Sequence, residues 1–284
     1  MKKICIFGVG LIGGSLALAL KENSFCEQVF GCDNDEAQLK RAQELGVIDT
    51  WSLDPCEAVA NAELVFLATP VGAIESVLSS IRECITDEMI ITDAGSCKVS
   101  VVNAAVSALG SLPNRFVPGH PIAGREKSGV QYADSRLYAD HKVILTPLEA
   151  TDPVAVEAVS QMWQACGAIV QQLNVEQHDQ VLAATSHLPH VLAYALVETV
   201  AKTTYVSEIF EFAAGGFRDS SRVASSDPTM WRDICMYNRD AILEMTSLYR
   251  QKLESLEQLI DAGDSESLFD LFSRSKEVRD ERFG

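Results

Sequence analysis

The sequence predicts an α/β protein: a doubly wound parallel sheet in the N-terminal domain, followed by an all-α C-terminal domain. Three observations carry this. A glycine-rich turn, Gly8-Val9-Gly10-Leu11-Ile12-Gly13-Gly14, separates an apolar run of strand length at residues 4–7 from helical spacing at residues 16–20. Short, continuous apolar runs then alternate with helical patterns through residue 93. Strands buried on both faces need such unbroken runs, and right-handed helical crossovers join them. From residue 153 the pattern changes, with one further strand candidate at 168–172 and mostly helical spacing to the end. The domain boundary is expected near residue 165, dividing the chain into 1–165 and 166–284.

The first elements carry chemistry. Gly8 permits the tight turn out of the first strand, Gly10 lets backbone approach a pyrophosphate, and Gly13 lets the new helix pack on the sheet. Leu11 and Ile12 open that helix, whose free N–H groups and positive dipole end favour an anion. The second strand, residues 29–32, ends in Asp33, 20 residues after Gly13, where a carboxylate can hold a ribose 2′-hydroxyl. Strand, glycines, helix, strand and acid in register describe a Rossmann-type dinucleotide site, which a lone glycine motif would not. Asp33 would repel a 2′-phosphate and Asn34 offers no positive charge to offset it, so NAD is the expected cofactor.

The remaining elements follow in order. Residues 35–45 have helical periodicity, with Gly46 as the stop. The strand at 64–68 ends at Thr69-Pro70-Val71, placing Thr69 and Pro70 where cofactor meets a strand's carboxyl end. Residues 71–81 read as the returning helix and 89–93 as the next strand, ending at Ala94-Gly95-Ser96-Cys97-Lys98. Residues 116–117 lead into Pro118-Gly119-His120-Pro121-Ile122-Ala123-Gly124, and 142–145 form another short strand. Periodic stretches at 228–259 and 266–279 carry more apolar faces than one small domain can bury, which predicts a homodimer built through this half. No internal repeat or low-complexity segment is present.

Composition narrows the function. The chain has 284 residues, 47% of them hydrophobic, ample for one or two packed cores, and a formal charge of −17. Such acidity argues against nucleic acid, so any anionic ligand must find a local basic pocket. Lys2-Lys3 and the apolar run after them imitate a secretory signal, but its removal would delete the first strand and the phosphate loop. The eight cysteines include no C-x-x-C pair and no metal-ligand spacing, and most read as small core residues in a reducing cytosol; no metal is expected and the location is cytoplasmic. Residues 181–200 contain His187, Pro189, His190 and Glu198, and so read as a buried helix pair and not as a membrane span.

Several polar residues stand where ligands gather. His120, between Gly119 and Pro121, is expected just past a strand end, in a loop too rich in Gly and Pro for helix. Ser96 lies at another strand end, where it can be a site residue, the N-cap of the helix from Val99, or both at once. Arg218, Arg222, Arg232 and Arg239 cluster in an acidic chain and are suited to gripping carboxylates, with pairing to Asp219 and Asp233 as the alternative. Ser226 or Asp227 caps the helix that Pro228 opens. In Thr185-Ser186-His187-Leu188-Pro189-His190, proline interrupts a helix and leaves polar groups near the break.

Five stretches taken together resemble the prephenate dehydrogenase family: Gly8-Val9-Gly10-Leu11-Ile12-Gly13-Gly14-Ser15, Asp93-Ala94-Gly95-Ser96-Cys97-Lys98, Gly119-His120-Pro121-Ile122-Ala123-Gly124, Ser186-His187-Leu188-Pro189-His190 and Ser226-Asp227-Pro228-Thr229-Met230-Trp231-Arg232-Asp233. The first is shared by many enzymes, whereas the third and fourth in this order are specific. The resemblance covers essentially the whole chain and is to the stand-alone form, without fused chorismate mutase. It implies oxidation at a ring C4 hydroxyl, hydride transfer to NAD and loss of the ring carboxylate as carbon dioxide, giving 4-hydroxyphenylpyruvate for tyrosine synthesis. By matching positions, His120 would accept the hydroxyl proton, Ser96 would orient hydroxyl or imidazole, and Arg222 would hold a substrate carboxylate. Ser186, His190 and Trp231 would line the pocket. Arg125 stands where family members carry a small polar residue; there it would favour a keto acid or face solvent. Prephenate is the implied substrate, with arogenate as the alternative, and tyrosine is the implied feedback inhibitor. Two competing readings are a hydroxyacid or 6-phosphogluconate-like dehydrogenase, which would need a catalytic lysine motif not found here, and a non-catalytic NAD sensor, which would not need His120, Ser96 and Arg222 together.

Overall fold

The computed structural model describes residues 1–125 and 127–283. A six-stranded, all-parallel sheet is built from β1 (Lys3–Phe7), β2 (Gln28–Cys32), β3 (Thr50–Ser52), β4 (Leu64–Leu67), β5 (Ile90–Asp93) and β6 (Phe116–Val117), in the order β3-β2-β1-β4-β5-β6. The crossovers carry α1 (Leu11–Glu22), α2 (Glu36–Glu44), α3 (Pro55–Val59), α4 (Ile74–Ile81) and α5 (Lys98–Leu109). Strand order reverses between β1 and β4, so the crevice outside their carboxyl ends is the expected ligand position of a Rossmann-type sheet.

Strand β1 shows why the apolar runs are continuous. Its Ile4 and Ile6 enter one core with Leu16, Leu20, Phe66, Tyr138 and Trp163, while Cys5 and Phe7 enter the other with Leu78, Ile81, Val101 and Phe116. Every position is needed because both faces are covered. Each fully buried Ile or Leu contributes about 1.5–3 kcal/mol. Between β1 and α1, Gly8 adopts φ +84°, and a Cβ there would lie 2.7 Å from the Ala68 carbonyl oxygen. At Gly13 a Cβ would lie 2.2 Å from the Gly8 oxygen. These two positions admit no side chain without moving backbone.

A second sheet lies beyond β6. It joins β7 (Gly119–Pro121), β8 (Lys142–Leu145) and β9 (Ile169–Gln172), with α6 (Pro153–Ala165) before the last strand. His120 is therefore on a strand and not in a loop. The Gly and Pro neighbours misled because Gly119, His120 and Pro121 pair antiparallel with Leu145, Ile144 and Val143, which holds the backbone extended. Strand β3 was also unforeseen, being three residues on the sheet's edge.

From residue 175 the chain is helical: α7 (Val175–Leu182), a π-turn at Ala183–His187, α8 (Leu188–Ala201), α9 (Val206–Glu211), α10 (Gly215–Ser221) and α11 (Pro228–Tyr237). Pro189 starts α8 where its missing N–H costs nothing, so the interruption takes the form of a π-turn rather than a break. These helices belong to a compact unit spanning Met1–Arg239; Asp240–Gly284 forms a second. The latter consists of most of α12 (Arg239–Asp261) and all of α13 (Ser265–Phe283), joined through Gly263 at φ +64°. Among its apolar residues Leu248, Leu253, Ile260, Phe269, Phe272 and Val278 are exposed. The periodic stretch from residue 228 is interrupted at Asn238, whose buried side chain has other partners. Cys56 and Cys84 form a disulfide with Cα atoms 5.7 Å apart, a pairing the sequence separation did not suggest, while Cys5, Cys26, Cys32, Cys97, Cys166 and Cys235 are free.

Candidate active site

The crevice at β1 and β4 has the form the glycines predict. A Cβ at Gly10 would meet nothing within 4 Å, so the space above the turn is open. Helix α1 begins there, the first backbone bond back to the turn being Gly14 N–H to the Gly10 carbonyl at 2.9 Å. The amides of Leu11, Ile12 and Gly13 therefore precede the helical ladder and are available to a ligand oxygen. Asp33 Oδ2 accepts the Val9 N–H at 3.1 Å and Oδ1 accepts the Asp35 N–H at 3.2 Å, tying the glycine turn to the end of β2. Beyond β4, Thr69 Oγ1 is buried without a partner among the described residues, and Pro70 shapes the turn beside it. An orphaned hydroxyl, an open turn and a strand-end carboxylate fit a dinucleotide.

Beside this crevice, β5 ends in Asp93, fully buried with Lys98. Asp93 Oδ1 accepts the Gly119 N–H at 3.0 Å, and Oδ2 accepts the Gly95 N–H at 2.7 Å and the Lys98 ammonium. Lys98 Nζ also donates to the Gly119 carbonyl at 2.5 Å. A buried ion pair is tolerated only when hydrogen bonds satisfy its remaining groups, and here they do so by clamping the residue before His120.

His120 Nδ1 lies 2.9 Å from His178 Nε2, and His178 Nδ1 lies 2.7 Å from Asp179 Oδ1. Asp179 further accepts the Lys98 and Val99 N–H groups at 2.7 and 2.9 Å. It thereby caps α5 from a distant part of the chain. That is the task foreseen as an alternative for Ser96, whose hydroxyl lies instead 3.8 Å from Cys97 Sγ. Burial holds His120 well below the ordinary histidine pKa, and the Lys98 charge pushes the same way. Burial also lowers His178, against the opposing hydrogen bond to Asp179.

The chain of contacts continues into the helices. Asn238 Nδ2 donates to the Asp179 carbonyl at 2.8 Å and lies 3.0 Å from His187 Nδ1, in the π-turn. Burial depresses His187 to about 4. Trp231 stacks on His190 with ring centroids 3.6 Å apart and meets His187 edge-on at 6.1 Å. Its buried indole Nε1 has no partner among the described residues. His190 Nδ1 bonds the Ser186 carbonyl at 2.9 Å, and the Arg222 charge helps lower its pKa after burial. Asp227 caps α11 by accepting the Met230 N–H at 2.8 Å. Of the arginines, Arg232 pairs with adjacent Asp233 at 2.8 Å, and Arg125 pairs with Asp134. Asp134 N–H in turn donates to Ser15 Oγ on α1 at 2.9 Å.

Comparison with known proteins decides the family. The model for the prephenate dehydrogenase nucleotide-binding domain matches residues 16–172, and that for the prephenate dehydrogenase dimerization domain matches 174–274. The chain belongs to the prephenate dehydrogenase family.

Prephenate dehydrogenase of Bacillus subtilis is 39% identical over 281 residues, covering 98% of this chain and 75% of that protein. Cyclohexadienyl dehydrogenase of Zymomonas mobilis is 38% identical, covering 98% and 95%. The crystal structure of prephenate dehydrogenase from Aquifex aeolicus, in complex with hydroxyphenyl propionate and NAD+, superposes with a TM-score of 0.91 at 35% identity, covering 99% of this chain and 98% of that one. Within this family fold, the glycine turn follows β1, Ser96 follows β5 and His120 lies on β7, whose Gly119 is clamped to the end of β5, while Ser186, His190, Trp231 and Arg222 form a second group reached through His187. Lys98, Asp93, His178, Asp179 and Asn238 carried no assignment from sequence. A signal for two of them exists: the buried positions of α7 are Val175, His178, Asp179 and Leu182, so polar residues occupy its inward stripe.

Proposed function

We propose that this chain catalyses the NAD-dependent oxidative decarboxylation of prephenate to 4-hydroxyphenylpyruvate. The observation that carries the reading is a neutral imidazole, His120, held on β7 by the clamp that joins Gly119 to the end of β5, with Nδ1 occupied by His178. Its Nε2 is left to take the substrate's hydroxyl proton. Ser96, whose help the imidazole does not need, orients the hydroxyl. Arg222 holds a substrate carboxylate, while Ser186, His190 and Trp231 line the pocket. Arg125 shares its charge with Asp134 and is a secondary contact. Gly8, Gly10, Leu11, Ile12, Gly13, Asp33, Thr69 and Pro70 hold the cofactor. When bound, NAD supplies the hydride acceptor, and the oxidised ring then loses its carboxylate because aromatisation drives it. Tyrosine, which shares the aromatic ring and a carboxylate with the product, is the proposed feedback ligand.

Steady-state rates with prephenate and arogenate, each with NAD and NADP, test the reading. Turnover of prephenate with NAD is expected, and none with any pairing would sink it. Because Asp33 caps the glycine turn with its carboxylate, NADP should be used poorly, and Asp33→Ser should narrow the gap; equal efficiency with both cofactors in the unmodified protein would refute the assignment.

The segment from residue 166 on is proposed as the substrate-binding and dimerisation domain of a cytoplasmic homodimer. Support comes from the exposed apolar side chains of α12 and α13. Among the described residues, no helix is long and apolar enough to cross a membrane. Sedimentation at micromolar concentration should give a species of twice the chain mass; a 30.9 kDa species alone would rule the dimer out.

A further inference from the structure

We infer that His178 and Asp179 are positioning residues that set the tautomer of His120, leaving its Nε2 lone pair bare for the substrate's hydroxyl proton. The reasoning runs inward from the carboxylate. Asp179 Oδ1 can only accept, so the nitrogen 2.7 Å away, His178 Nδ1, bears the hydrogen. His178 is fully buried and kept neutral, so its other nitrogen, Nε2, is an acceptor. His120 Nδ1 lies 2.9 Å from it and must therefore donate. A neutral imidazole with hydrogen on Nδ1 has its lone pair on Nε2, the form in which it accepts a proton.

The order is enforced at its far end. Asp179 cannot turn, because its two oxygens also receive the backbone N–H groups of Lys98 and Val99 at the start of α5. Asn238 fixes the backbone of the same residue by donating to its carbonyl. Position is enforced at the near end, where Asp93 and Lys98 clamp both backbone groups of Gly119. His120 Nε2 would take the hydroxyl proton as the C–H bond breaks, with bound NAD as the acceptor that would receive the hydride and its electron pair. The imidazolium so formed keeps its Nδ1–H bond to His178, and the Asp179 carboxylate stabilises the new charge without taking the proton. The charged and titratable groups facing His120 are then Asp93 at the end of β5, Lys98 on α5, His178 and Asp179 on α7, and His187 in the π-turn.

This rests on His120 being the proton acceptor, and the experiment separates the two. Histidine-selective ¹⁵N labelling of the intact protein reports the tautomer of each of the five histidines without turnover, His120 being assigned by the signal lost in His120→Asn. Hydrogen on Nδ1 and none on Nε2 is expected; hydrogen on Nε2 overturns the inference whatever the activity. In kinetics, His178→Leu should lower kcat by about 10³-fold with the prephenate KM within a few-fold, as expected for a base released from its tautomer. His178→Gln, whose amide oxygen can accept from His120 Nδ1–H, should recover at least tenfold of that loss. A purely structural role for His178 would make the two variants equivalent and leave the His120 tautomer unchanged, and a His178→Leu kcat within tenfold of the parent would equally overturn the proposal. Asp179→Asn tests the outer member, its wrong tautomer being read by the same spectra. If loss of the α5 cap unfolds that variant, the His178 pair decides alone. Near-normal turnover in His120→Asn would instead defeat the assignment of the base, with the tautomer still measured.

Discussion

Replacing His120 with asparagine should lower turnover at least ~100-fold while substrate affinity changes little. Asparagine retains a hydrogen-bonding group of similar reach but cannot accept a proton at neutral pH, so the loss falls on the step in which the hydroxyl is oxidised. The pH profile gives a second reading. Sequence alone places the rise in activity in the ordinary histidine range, since protonated imidazole cannot accept. In the structure, burial first and the Lys98 charge after it disfavour the charged form of His120. Only the neutral form works, and a lowered pKa keeps it neutral to more acidic pH. The plateau at saturating substrate should therefore extend below pH 6.5, with the falling limb on its acid side, and that limb should vanish in His120→Asn. A limb of unchanged position in the variant would mean that the titrating base lies elsewhere, with His190 next to be tested.

Arg222→Ala should weaken substrate capture far more than it perturbs NAD binding. Arg222 is exposed in the structure, but its charge is felt by His190 at the edge of the aromatic cluster. A substrate seated on Trp231 would cover it and desolvate the guanidinium. Truncating a charge-assisted pair in such surroundings costs about 2 kcal/mol or more, a rise of roughly 30-fold in the prephenate KM. An unchanged KM, measured beside an unchanged NAD affinity, would make Arg222 a structural residue and direct attention to Arg125 and Arg218.

The sheet was readable because burial on both faces leaves an unbroken signature; Ile4, Cys5, Ile6 and Phe7 each have a core to fill. The glycine turn was readable because backbone contact at Gly8 and Gly13 excludes other residues. His120 was readable from its neighbours, though its strand was not, since pairing with residues 143–145 is a long-range event that local composition does not record. His178 and Asp179 were hidden for a related reason. On a helix, two polar residues read as a solvated face until the packing shows which stripe points inward. Lys98 likewise carries no assignment in sequence. Only the fold brings Asp93 and the Gly119 carbonyl to it.

The three histidines 120, 178 and 187 have a cost at low pH that is separate from catalysis. Each is held neutral in the fold with its pKa depressed, by burial first in every case. In the unfolded chain each would take up a proton below about pH 6.5. The unfolded state then binds more protons than the native one, so stability is intact above that pH and drains away as acid is added. The loss is about 1.4 kcal/mol per pH unit for each histidine until its folded form also protonates, which for His187 is near pH 4. Dryness around the imidazoles thus ties readiness as a base to acid lability: a variant that hydrated this polar core to survive acid would also give the base back its ordinary affinity for protons.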